Sequence, residues 1–177
     1  NAKNNVNISN GKGSISSDNI TAGNDIEISD NSGDVSLAAL TSENGNISIT
    51  NESGDIKASG NIQAANDVNI SDNSGAIDIQ DVIANAINIK NDDAAISAKD
   101  LTANDTVSIE NNKGAISTNN ITAGKDIKIV DSEGAINTNI LNATDNIKVE
   151  NQTGSITSNN ITAGNDIEIS DTEGDIT

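Results

Sequence analysis

Residues 154–175 read GSITSNNITAGNDIEISDTEGD, and residues 13–34 read GSISSDNITAGNDIEISDNSGD. One is nearly a letter-for-letter copy of the other, and the chain between them is a looser copy of the same phrase. Two aliphatic markers fix the phase. The first follows a glycine, at Ile15, Val35, Ile56, Ile77, Ile96, Ile116, Ile136, Ile156 and Ile176. The second closes an Ile-x-Ile pair, at Ile8, Ile28, Ile49, Ile70, Ile89, Ile109, Ile129, Val149 and Ile169. Successive markers stand about twenty residues apart, a solenoid period.

Inside one unit the apolar residues alternate. In the last full unit the pairs are Ile156/Ser158, Ile161/Ala163 and Ile167/Ile169, with polar breaks between them. Short alternating runs separated by polar corners predict three strands per unit, and no helical period competes. Stacked, each inward position becomes a column. The third pair is almost all Ile or Val. The second sets a large residue against a small one, as in Ile20/Ala22, Leu40/Ser42 and Leu141/Ala143. A narrow interior needs that small column. The first pair has a mixed inner position: Ser17, Leu37, Ala58, Ile79, Ala98, Thr118, Thr138 and Ser158. Its hydroxyls are expected near a corner, satisfied by backbone groups.

Two residues past each Ile-x-Ile stands an Asn or Asp: Asn10, Asp30, Asn51, Asp72, Asn91, Asn111, Asp131, Asn151 and Asp171. As corner residues these suit the left-handed conformation and bond their own backbone two residues on. At the strand spacing of about 4.8 Å they are also expected to bond along the column. No two Asp are neighbours there, which avoids like-charge repulsion of roughly 1 kcal/mol even in water. Three residues later come Gly13, Gly33, Gly54, Gly75, Gly114, Gly134, Gly154 and Gly174, with Ala94 in the remaining place. Glycine there predicts a positive φ or a close backbone approach.

The predicted fold is all-β: a right-handed parallel β-helix, that is a three-sided β-solenoid, with about eight coils in a rod of roughly 40 Å. Residues 1–177 form one continuous unit. The chain starts and stops in mid-pattern, VNIS and GDIT, so it is expected to be a fragment of a longer array, uncapped at both ends. Three slips interrupt the period: an extra residue at Asn44-Gly45, another around Ser59-Gly60-Asn61, and a shortened corner at Asn85-Ala86. Length changes belong in turns. Neutral drift in turn length explains them, and a specific contact, if the chain carries one, is expected at these uneven corners rather than on the regular faces.

Composition narrows the function. Hydrophobic residues make up 33% and the net charge is −18, values that alone would fit disorder, but a disordered tract need not keep its aliphatics in phase. There is no His, Cys, Met, Pro, Trp, Tyr, Phe or Arg. Thiolate chemistry, disulfides and zinc sets of Cys and His are therefore absent. An acidic surface without Arg or aromatic platforms disfavours nucleic acid and anionic membranes, and no apolar run is long enough to insert. Acid–base candidates are Asp, Glu and Lys alone, and no carboxylate pair stands out, so no catalytic, cofactor-binding or metal residue is assigned. The runs Asp30-Asn31-Ser32, Asp72-Asn73-Ser74 and Asp131-Ser132-Glu133 offer oxygen ligands that calcium accepts; a backbone-satisfied Asx corner explains them as well. Sequons at Asn19, Asn120 and Asn160 fall on one corner, in a chain where Asn-x-Ser/Thr arises easily by chance. A file of Thr21, Thr41, Thr102, Thr122 and Thr162 is broken by Gln63, Ile83 and Asn142. The β propensity of Thr accounts for it.

The phrases NITAGNDIEIS (19–29 and 160–170), NITAGKDIKIV (120–130) and SGDIKASGNIQAANDVNIS (53–71) resemble the repeats of filamentous-haemagglutinin-like exoproteins, the passengers of two-partner secretion. The resemblance runs along essentially the whole chain. It implies a right-handed parallel β-helix and export through an outer-membrane two-partner transporter. It also implies a place on the bacterial cell surface or in the medium. Adhesion to host or neighbouring cells, or display of a toxin, would then rest with other regions. The N-terminal secretion domain of such proteins is not in this sequence. The expected function is thus a structural spacer in an adhesin, with no enzyme activity and no cofactor. The alternatives are a binding module for ice or glycan on a flat Thr/Asn face, and a pectin-cleaving β-helix enzyme, which the lack of Arg and His disfavours.

Overall fold

An aliphatic that recurs once per turn of chain leaves water by lying on its counterpart one turn below. The computed structural model, which describes all residues 1–177, is built on that contact throughout. It contains strands and turns and no helix. The third strands, beginning with Val6–Asn10 and Ile26–Asp30 and ending with Ile167–Asp171, form one nine-stranded sheet in chain order. Every pairing in it is parallel, and Ile28 lies on Ile49, Ile49 on Ile70 and Ile70 on Ile89. About eight such coils follow one another, a β-solenoid.

The first and second strands form the other sheet. In the early coils they are separate, as in Ile15–Ser17 and Ile20–Ala22. From Ile96 the expected polar break is gone: Ile96–Ala103, Ile116–Ala123, Ile136–Ala143 and Ile156–Ala163 are each one eight-residue strand. These coils have equal two-residue links, and the links themselves ladder, Asp100 on Asn120 and Asn120 on Ile140. Earlier, the three-residue link Ser59-Gly60-Asn61 faces two-residue links on both sides and cannot keep that pairing.

All three slips lie in turns, and the strands on either side stay paired. The extra residue at Asn44-Gly45 has its own support. Ser42, in the small column, donates its hydroxyl to the Asn24 carbonyl and accepts the Gly45 N–H at 3.0 Å. The hydroxyl therefore closes the enlarged corner, where an alanine would leave both groups unserved. The turns are laddered too: the Gly33 N–H donates to Ser53 at 2.7 Å and that of Gly134 to Thr153 at 3.0 Å.

The interior is one cluster of 39 buried apolar residues running the length of the rod. Each buried Ile contributes on the order of 1.5–3 kcal/mol, offset by the entropy of ordering its coil. The small column is buried as expected, through Ala22, Ala64, Ala84, Ala103, Ala123 and Ala143. The first-pair hydroxyls depart from expectation. Thr118 and Thr138 are buried and their Oγ1 atoms have no partner, nor has Ser158 Oγ. Where the first strand runs straight into the second there is no corner, and the main chain is committed to its ladder.

Ile70→Ala, in the middle of the stack, is expected to cost about 2–5 kcal/mol in urea unfolding. Ile83→Ala, at a side chain 44% exposed, should change stability by less than about 0.5 kcal/mol. Equal effects would contradict the column.

Candidate functional site, the inward Asx column

Strand alternation runs one step beyond the Ile-x-Ile pair. In Ile26–Asp30 the residues point in, out, in, out, in, so the Asx residue is the last inward position of the strand and not a corner residue. Asp30, Asn51, Asp72, Asn91, Asn111, Asp131 and Asn151 are all at most 3% exposed. None has a positive φ; that conformation falls to Gly13, Gly33, Gly54, Gly114 and Gly154 alone. The expectation of left-handed Asx corners is thereby corrected, since an extended strand end needs no such turn. Close approach governs the glycines as well. A Cβ on Gly54 would lie 2.4 Å from the Gly33 oxygen, and one on Gly134 2.1 Å from that of Gly114.

The column does not bond to itself. Asn side chains reach the glycine carbonyls instead. Asn51 Nδ2 donates to Gly54 O at 2.8 Å in its own coil and to Gly33 O at 3.0 Å in the coil before. Asn91 does the same with Ala94 O at 3.0 Å and Gly75 O at 2.9 Å. Asn111 takes Gly114 O at 2.8 Å, and Asn151 takes Gly134 O at 2.9 Å. Gly33, Gly75 and Gly134 belong to the coils that carry Asp30, Asp72 and Asp131. Each is served by the Asn of the next coil. The interleaving of Asp with Asn is thus a matter of donors as well as charge: an Asp following an Asp would leave a buried carbonyl without its amide.

The aspartates accept from their own turn. Asp30 Oδ1 takes the Ser32 N–H and Asp72 Oδ1 those of Ser74 and Gly75, all at 3.2 Å. The second oxygens of Asp30 and Asp72, and both of Asp131, have no partner. Burial pushes the carboxyl of Asp131 up to about 6, only partly offset by the Glu133 and Ser132 amides that point toward it. Burial likewise raises that of Asp72, against the pull of the Gly75, Ser74 and Asn73 N–H groups.

The three runs weighed for calcium begin with these inward aspartates. No three or more Asp, Glu, His or Cys side chains converge closely enough to hold a metal ion.

A second Asx file escaped the reading of the sequence. It precedes the third strand and lies outside: the Asn5 side chain accepts the Asp25 N–H at 3.3 Å, Asp25 that of Asn46 at 2.8 Å, and Asn46 that of Asp67 at 3.1 Å. Asp126 and Asn146 repeat the pattern further along. Each side chain clamps the backbone of the next coil. The signal was available, since Asx recurs immediately before most third strands.

The remaining candidates are scattered. The Asn19 side chain accepts the Ala39 N–H at 3.2 Å, and Asn120 donates to Asp100 at 2.8 Å. The threonine file is one residue wide and runs Thr41, Gln63, Ile83, Thr102 in register. Lysines bridge coils, as in Lys125–Asp105 at 2.9 Å and Lys128–Glu110 at 2.6 Å, and form no basic patch. A groove of about 320 Å³ on the outer face of the nine-stranded sheet presents Ser48, Thr50, Asn69, Asn88, Lys90 and Glu110, polar and charged side chains without an aromatic platform. Asp55 is held below the usual carboxylate range by its hydrogen bond from Lys57. No protein-family model, no curated protein and no solved structure matches the chain.

Asn111→Asp would remove the donor to Lys113 O and Gly114 O and set a second buried carboxylate under Asp131. The melting temperature should fall at neutral pH, by the equivalent of about 1–3 kcal/mol. Because the site is buried, most of the loss should persist in about 1 M salt, where surface repulsion is screened. An unchanged melting temperature would show that the amide contributes nothing.

Proposed function

We propose that residues 1–177 are a structural spacer, a stalk segment of a filamentous-haemagglutinin-like bacterial exoprotein. On this reading the protein is secreted or held at the cell surface after passing an outer-membrane two-partner transporter. Contact with a host or neighbouring cell belongs to other regions. The role is mechanical: parallel ladders lock each coil to the next, and the acidic coat keeps rods apart.

One observation carries the reading. The polar side chains at the strand ends and in the corners are turned along the rod and used between coils. Asn51, Asn91 and Asn151 reach the carbonyls of the preceding coil, and Asp25, Asn46 and Asp126 hold the amides of the next. A binding module would be expected to aim such groups outward around aromatic or Arg anchors, and this chain has neither. The repeat phrases quoted above supply the family.

A spacer tolerates loss of whole coils. Deleting residues 96–135 brings Ile136 onto Ile77 in the place of Ile96. The shortened chain should fold and lose about 10 Å of rod, two strand spacings, in small-angle scattering. Specific retention of a glycan on an array, or thermal hysteresis from the purified chain, would replace the spacer by a binding module.

A further inference from the structure

We propose that on acidification Asp72 and Asp131 become carboxylic acids within the folded rod, each donating its Oδ2 proton to the carbonyl of the glycine three residues on, so that folding takes up protons and the stack tightens. The geometry starts from the neighbouring coils. At the same register position Asn51, Asn91 and Asn111 place an amide donor on the carbonyl three residues on, at 2.8–3.0 Å. Asp72 at that position sets Oδ1 on the turn amides of Ser74 and Gly75 and leaves Oδ2 without a partner. Asp131 Oδ2 lies 2.9 Å from the position a Cβ on Gly134 would take, hard against the glycine it would serve.

An ionised Oδ2 would have no donor and be out of reach of water. Asp72 is 1% exposed and Asp131 not at all, and the oxygens in question have no partner. A buried ionised carboxylate without a donor is costly; a carboxyl that carries its proton becomes a donor and mimics the amide.

The surroundings supply no cation. Asp131 lies between Asn111 and Asn151, and Asp72 between Asn51 and Asn91, all neutral. Charged groups on the strands packed about Asp131 are Glu110 and Lys113, Lys128 and Glu133, and Lys148 and Glu150; the long strands 116–123 and 136–143 carry none. About Asp72 they are Glu52, Asp55, Lys57, Asp67, Asp78, Lys90, Asp92 and Asp93. No lysine stands within 4.0 Å of either inward carboxyl; the lysines are taken up by exposed partners, Lys57 by Asp55, Lys113 by Asp93 and Lys148 by Glu150. The upward displacement of both carboxyls by burial agrees with the proton's place.

The sign follows. A carboxyl raised on folding favours the native state fully below its unfolded value near 4; for Asp131 that contribution is lost as pH rises through about 6, and for Asp72 it is lost in the same direction.

Urea unfolding of the chain, of Asp131→Asn and of Asp72→Asn, from pH 4 to pH 8, tests it. The three proteins should be alike at pH 4. Above about pH 6 Asp131→Asn should be more stable than the parent, roughly ten- to a hundredfold in the unfolding constant, a factor of ten for each pH unit of displacement, and Asp72→Asn should depart from the parent in the same direction as pH rises. The gap should survive about 1 M salt, which screens repulsion across the acidic surface. Carboxyl carbon resonances of the unsubstituted chain give a readout that needs no variant: those of Asp72 and Asp131 should titrate after the surface carboxylates. Titration along with the surface groups, or variant and parent curves that stay parallel, overturns the proposal. So does stabilisation at pH 7 by calcium chloride that Asp131→Asn abolishes, which would put a cation in the proton's place.

Discussion

Everything in this rod depends on one constraint: each coil must present, to the coil on either side, the same backbone at the same height. Parallel strands hydrogen-bond only to a neighbour in register, and a one-residue slip would turn every inward aliphatic to water. The chain meets the constraint by repeating itself. Where it fails to repeat, at Asn44-Gly45, Ser59-Gly60-Asn61 and Asn85-Ala86, the error is confined to turns, and the stack of Ile28, Ile49, Ile70 and Ile89 runs on undisturbed. A coil has no core of its own, so stability is nearest-neighbour in kind.

The corners answer the same constraint in polar chemistry. A turn stacked on a turn buries carbonyls and amides that no strand ladder serves. Two Asx files serve them from opposite sides. The inward file donates through Asn to carbonyls of its own coil and of the coil before. The outward file accepts, through Asp25, Asn46 and Asp126, the amide of the following coil. Asn is needed where both coils offer carbonyls, and Asp is tolerated inward where the next coil brings an amide. Charge repulsion and donor supply thus impose the same alternation. The surface ion pairs add little by comparison, because exposed pairs contribute roughly 0–1 kcal/mol each. Their arrangement between coils follows the rod without holding it together.

How much could be read beforehand depended on the kind of contact. Ile28 and Ile49 were legible as a stack because a hydrophobic contact needs only phase and size. Ala22 and Ala143 were legible as the small column for the same reason. The inward place of Asp30 and Asn51 was within reach, had strand alternation been carried one residue further. Their polar character drew them instead toward a corner. The partners of Asn51 were out of reach, since the Gly33 carbonyl is set by the path of another coil. Thr118 and Thr138 were misread because the corner expected beside them does not exist once the two strands fuse.

The sequence by itself determined the period, the coil, the columns and the turns that absorb irregular length, because a repeat specifies which residues meet. Only the tertiary structure decided which way each polar atom faces. It placed the Asx file inside, gave its amides to glycine carbonyls of two coils, and left the second oxygens of Asp72 and Asp131 without a partner. The reason is geometric: a hydrogen bond depends on the direction of a donor and an acceptor from separate laps of the chain, and direction is not written in a one-dimensional pattern.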